Sequence, residues 1–113
     1  MRYDEIVTSA EDIVRRRLAV EPEQIAEICR KWRIAELSLF GSVLRDDFND
    51  DSDVDLLVVF EPDDPWDLWD LMHCENEFAA LFGRKVDLVE KSALENPFRR
   101  HEIMRTSQVL YAA

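Results

Sequence analysis

The chain reads as an α/β (α+β) fold, a small mixed sheet with helices packed on it. Three observations lead there. Residues 54–60, Val-Asp-Leu-Leu-Val-Val-Phe, form a Val- and Leu-rich run flanked by turn residues, as a strand buried on both faces requires. Residues 84–90 repeat the pattern around Val86-Asp87-Leu88-Val89. Between and around these runs the apolar residues recur at helical spacing instead. With 113 residues, 47% hydrophobic and 10% aromatic, the chain has material for one core. The whole of 1–113 is expected to be one domain, with residues 1–20 as an N-terminal helical extension.

The elements follow in order. Tyr3, Ile6, Val7, Ala10, Ile13, Val14 and Leu18 share a helical stripe, which Thr8-Ser9 can restart as an N-cap. Pro22 opens a second helix carrying Ile25, Ile28, Cys29 and Trp32. Leu37-Ser38-Leu39-Phe40 is a strand ending at Gly41. Asp64-Pro65 is expected to start a long helix with Leu68, Leu71, Met72, Phe78, Ala79 and Phe82 inward, closed by Gly83. Asn96-Pro97 opens the last helix, and residues 108–111 follow as a short edge strand.

Charge narrows the partners. There are 25 acids against 14 Lys and Arg, a formal net charge of −11. Such a surface repels polynucleotides, whose nonspecific affinity comes from neutralised phosphates, and two bound divalent cations would offset only a minority of it. A basic protein partner is favoured by the same field. No apolar run approaches the roughly 18 residues of a membrane span, and Met1-Arg2-Tyr3-Asp4-Glu5 lacks the apolar stretch of a secretory signal. Cys29 and Cys74 form no C-x-x-C and read as buried thiols, so a cytoplasmic protein is expected.

The sharpest anomaly is acidic. Asp53 and Asp55 project to one side of their strand, roughly 6.5–7 Å apart at Cα. Asp55 interrupts an apolar run, where an unpaired carboxylate is strongly disfavoured. Asp87 repeats the anomaly between Val86 and Leu88. If the two strands are neighbours, three carboxylates meet. Oxygen donors without a nearby histidine suit Mg²⁺ or Mn²⁺ better than zinc, and two such ions serve in-line nucleotidyl displacement. Plain salt bridges to Arg or Lys are the alternative. Before this cluster stands Leu39-Phe40-Gly41-Ser42, a strand ending in a turn that offers N–H groups and a hydroxyl to an anion.

Gly41-Ser42, ten residues, then Asp53-Val54-Asp55 resembles the GS-x10-DxD motif of the polymerase-β-like nucleotidyltransferase superfamily. Leu37-Ser38-Leu39-Phe40-Gly41-Ser42 and Asp51-Ser52-Asp53-Val54-Asp55-Leu56-Leu57 are similar to its minimal nucleotidyltransferase (MNT) branch, over roughly residues 22–111. The resemblance implies the polymerase-β-like fold, with Gly41, Ser42 and Arg45 on the nucleotide phosphates. It implies Asp53, Asp55 and Asp87 as metal ligands and catalytic residues, Mg²⁺ as a pair of ions, and ATP as substrate. Many members carry Arg-Gly where this chain has Arg45-Asp46, which weakens the expected approach of that loop to phosphate. The branch includes antitoxins of HEPN/MNT toxin-antitoxin modules, which restrain a HEPN ribonuclease, in studied cases by transferring AMP to a toxin tyrosine. Two other outcomes stay open: an antitoxin that only binds and masks its toxin, and nucleotidyl transfer to RNA or a small molecule.

Several residues are left with two readings. Trp66 and Trp69 sit off the inward stripe and serve either the core or a surface for a partner or a second copy. His73 and His101 lack metal-ligand spacing. Arg99, Arg100 and Arg105 either complement a triphosphate or balance surface charge.

Overall fold

The computed structural model describes residues 9–113, so Tyr3, Ile6 and Val7 lie outside the described residues. Helix α1 spans Ala10–Arg17, with Ser9 as N-cap accepting from the Asp12 N–H at 3.1 Å. Helix α2 spans Pro22–Lys31, and the Gln24 side chain accepts from the Glu21 N–H at its start. Arg33 then takes a left-handed conformation (φ 54°) and turns the chain into strand β1, Ile34–Phe40. This strand is longer than the four residues expected. Arg33 holds the corner by pairing with Glu61 at 3.3 Å and Asp63 at 2.7 Å.

A 3₁₀ turn, Gly41–Leu44, leads through a loop to strand β2, Val54–Phe60. Helix α3 (Leu68–Phe82), strand β3 (Val86–Glu90), helix α4 (Pro97–Thr106) and strand β4 (Gln108–Ala112) complete the chain. The sheet order is β3-β2-β1-β4, with β2 and β3 parallel and the other pairs antiparallel. The expected mixed sheet and closing edge strand are both present.

The start of α3 departs from expectation. Asp64 accepts from the Trp66 N–H at 3.0 Å, which makes a local turn rather than a helix cap. Trp66 is drawn inward instead: its indole N–H donates to the Trp32 carbonyl at 2.6 Å, and the rings meet edge-on at 5.0 Å. The helix therefore begins later. Asp67 caps it, each of Asp67 and Asp70 accepting from the other's backbone N–H. Its inward stripe is Cys74, Phe78 and Phe82, while Leu68 and Met72 fall on the flank and are 70% and 46% exposed. Gly83 ends the helix at φ 67°, as expected.

Strand alternation divides the interior. Leu37, Leu39, Val54, Leu56, Val58, Val86 and Leu88 face one side, where α1, α2 and α3 build the main core. Phe40 and Leu57 face the other, covered by Leu94 and by Ile103 of α4. One helix covers that second face only in part. Its remaining end, at the start of β2 and β3, carries Asp55 and Asp87. Cys29 and Cys74 are free and buried, and burial pushes both thiols up to about 12. Phe78 is fully buried in the main core; Phe78→Ala is expected to cost about 3–5 kcal/mol in urea denaturation, and a loss below about 1 kcal/mol would disprove its place there.

Candidate active site

The parallel pairing of β2 with β3 sets Asp55 beside Asp87, one residue opposite the other. Two residues upstream of Asp55, Asp53 stands exposed in the loop that enters β2. The antiparallel pairing with β1 sets Phe40 opposite Asp55, so Gly41 arrives next to the carboxylate. The fit there is close. Gly41 has φ +74°, and a Cβ at that position would stand 2.2 Å from Asp55 Oδ2. A Cβ there could be accepted only if the Asp55 carboxylate left the position it holds, and the left-handed backbone itself favours glycine. Ser42 donates its hydroxyl to the Asp53 carbonyl at 3.1 Å, tying the turn to the start of β2.

Electrostatics mark Asp55. Its carboxyl is held above the usual carboxylate range, first by burial and then by the charges of Asp87 and Asp53. Arg45 and Arg99 oppose this from a distance. Neither is a salt-bridge partner: among the described residues Asp53, Asp55 and Asp87 form no ion pair within 4.0 Å. The plain salt-bridge alternative is therefore not what holds these acids. Equally, among the described residues no three or more His, Cys, Asp or Glu side chains are gathered tightly enough to make a ready metal cage. On the same face, a cleft of about 470 Å³ opens beside Gly41, bounded by Phe40, Leu44, Arg45, Glu102 and Ile103.

A Gly-Ser turn seated against paired strand carboxylates has a counterpart among known proteins. The profile of the nucleotidyltransferase domain family matches residues 22–110. The chain belongs to this family. Among relatives, the protein adenylyltransferase MntA of Thermococcus cleftensis is 40% identical over 70 residues, covering 62% of this chain and 69% of that protein. A candidate protein adenylyltransferase of Methanocaldococcus jannaschii, MJ0128, is 32% identical over 98 residues, or 86% of this chain and 90% of the relative. A solved structure described as a candidate minimal nucleotidyltransferase superposes with a TM-score of 0.63 at 31% identity, covering 76% of this chain and 85% of that one. The Shewanella oneidensis MNT antitoxin, solved with its tri-AMPylated HEPN toxin, superposes at 0.60 with 19% identity, over 81% of this chain and 70% of that one, and so bears on the fold alone. The fold is the polymerase-β-like one of minimal nucleotidyltransferases.

Within this nucleotidyltransferase the expected site residues separate into groups. Asp55 and Asp87 stand side by side with Gly41 against Asp55, and Ser42 is tied to the Asp53 backbone. The expected meeting of all three carboxylates is not closed: the Asp53 side chain stands exposed in the loop before β2. Arg45 lies at the end of the 3₁₀ turn with its Nε 3.3 Å from Asp47, and its charge reaches Asp55. Asp46, where the resemblance leads to an expectation of glycine, has no left-handed backbone, so an aspartate there imposes no strain. Of the three C-terminal arginines, Arg105 pairs with Glu102 at 2.7 Å and Arg100 donates to the Lys91 carbonyl at 3.0 Å. Arg99 alone of the three acts on Asp55. Sequence spacing could not single it out, since Arg99 and Arg100 are neighbours at the start of α4. His73 and His101 are exposed. Trp66 is packed on Trp32, whereas Trp69 is 68% exposed. Among the described residues no helix is long and apolar enough to cross a membrane.

Proposed function

We propose that this nucleotidyltransferase moves AMP from ATP onto a tyrosine hydroxyl of a HEPN-type ribonuclease toxin, and so acts as its antitoxin. The observation that carries the chemistry is the half-buried Asp55, raised in pKa, paired in register with Asp87 and pressed against Gly41. Carboxylates held together without a cation fit a divalent metal, and Asp53, Asp55 and Asp87 are all-oxygen donors suited to Mg²⁺. Bound there, a pair of such ions supplies Lewis acidity for nucleotidyl transfer. The chain's own residues do the rest. Ser42 and the N–H groups of the Gly41–Leu44 turn orient the phosphates. Arg45 and Arg99 add positive charge that reaches Asp55 from a distance. Asp87, exposed on the outer strand, receives the proton of the acceptor hydroxyl as its oxygen bonds the α-phosphorus. The bond from that phosphorus to the β-phosphate oxygen breaks and pyrophosphate leaves.

The choice of acceptor is supported by the relatives named protein adenylyltransferases and by the fold shared with antitoxins crystallised on HEPN toxins. The net charge of −11 fits a basic RNA-cleaving partner. One observation favours the second reading, an antitoxin that masks its toxin by binding. Leu68, Trp69 and Met72 form an exposed apolar group at the start of α3. Incubation with α-labelled ATP, Mg²⁺ and a co-expressed HEPN protein distinguishes the two. Label on the toxin, lost with a chelator, is the expected result; a tight complex that never takes label selects masking.

A further inference from the structure

The connection from the Gly-Ser turn to Asp53 crosses residues 44–53, a stretch with many acids and no strand or α-helix of its own. Two arginines hold it, one before it in the sequence and one after. Arg17, the last residue of α1, donates Nη1 to the Val43 carbonyl at 2.8 Å and also to the Arg45 carbonyl. It approaches Asp46 at 3.9 Å. Arg84, just after α3, donates Nη1 to the carbonyls of Asn49 at 2.9 Å and Ser52 at 2.8 Å. Between them lies Phe48: the Arg84 guanidinium stands 4.5 Å from its ring centroid and that of Arg17 stands 6.0 Å away.

We propose that Arg17 and Arg84 are positioning residues of the active site, two guanidinium groups clamping the Gly41-to-Asp53 connection about Phe48. Backbone carbonyls of a loop are ordinarily satisfied by water and leave the chain free to move. Here four of them accept from two forked cations that are themselves stacked on one ring. The clamp begins at Val43, next to Ser42, and ends at Ser52, next to Asp53. Ser42 already donates to the Asp53 carbonyl. The loop is thus fixed at both ends of the two motifs, and the register of the phosphate-binding turn against Asp53 and Asp55 follows from it. Arg17 lies outside residues 22–110, the part that the family profile matches. Helix α1 therefore does more than add core: Ile13 and Val14 seat it in the main cluster, and its last residue reaches the nucleotide turn.

The test compares wild type with Arg17→Met, which keeps an unbranched apolar side chain but cannot donate, and with Arg17→Lys. Hydrogen exchange should show amide protection over residues 42–53 reduced about tenfold in Arg17→Met, with the sheet amides unchanged. Unaltered protection there would overturn the clamp, whatever the protein binds. The second measurement rests on the nucleotidyl-transfer reading and titrates a fluorescent ATP analogue with Mg²⁺. Arg17→Met should bind it about tenfold more weakly, and Arg17→Lys should recover part of that loss. Loss of protection with wild-type affinity would show that the loop does not position the nucleotide. If wild type itself binds no nucleotide, the transferase reading fails and the exchange result alone decides the clamp. Arg84→Met provides a second variant if Arg17→Met does not fold.

Discussion

Asp55→Asn is expected to abolish nucleotidyl transfer while leaving the fold intact. The substitution keeps the size of the side chain and removes one ligand charge from the centre of the cluster. A loss of about 1,000-fold or more, roughly 4 kcal/mol of barrier, is the scale for removing a central electrostatic contribution. Stability should move the other way. Burial and the charges of Asp87 and Asp53 raise the Asp55 pKa in the folded state, so ionised Asp55 opposes folding. The raised group binds more protons folded than unfolded across the interval between its two pKa values. Stability thus falls as pH rises through that interval, and the penalty stands in full above it. Metal-free wild type should therefore gain on Asp55→Asn when a urea denaturation near neutral pH is repeated in mild acid. At neutral pH the variant should be at least as stable as wild type. Full transfer by the variant would remove Asp55 from the reaction, and a collapsed fold would make it a structural residue.

Much of this site was legible in the sequence because charge in an apolar strand is costly wherever the strand goes. Asp55 and Asp87 were conspicuous among Val and Leu before any pairing was known, and parallel pairing of β2 with β3 then placed them side by side. Gly41 was legible as a turn. Its close approach to Asp55 was not, because that contact depends on the register between β1 and β2. The start of α3 departs from its local sequence signal for a related reason. Asp64-Pro65 has the local chemistry of a helix start, but Trp66 finds its partner at Trp32, far along the chain, and the turn is used to deliver it. Arg17 and Arg84 were invisible for the same cause. Each binds carbonyls more than 25 residues away, and a backbone acceptor leaves no mark in the sequence.

The two glycines offer a matched pair for the second large effect. Both have positive φ, +74° at Gly41 and +67° at Gly83, so an alanine at either is strained by a comparable amount, about 1–2 kcal/mol. Their surroundings differ. A Cβ at Gly83 meets nothing within 4 Å, whereas one at Gly41 meets Asp55 Oδ2 at 2.2 Å and its Cγ at 3.1 Å. The Asp55 carboxylate sits at the end of a rotatable side chain and can swing aside, so the clash need not add greatly to the folding cost. It must, however, take the carboxylate out of register with Asp87. Gly41→Ala and Gly83→Ala should consequently lose similar stability in thermal denaturation, while only Gly41→Ala loses transfer, by about 100-fold or more. Comparable activity in the two variants would mean that the approach of Gly41 to Asp55 is a packing accident. A large excess loss of stability at Gly41 would mean that Asp55 is held rigidly and the backbone yields instead.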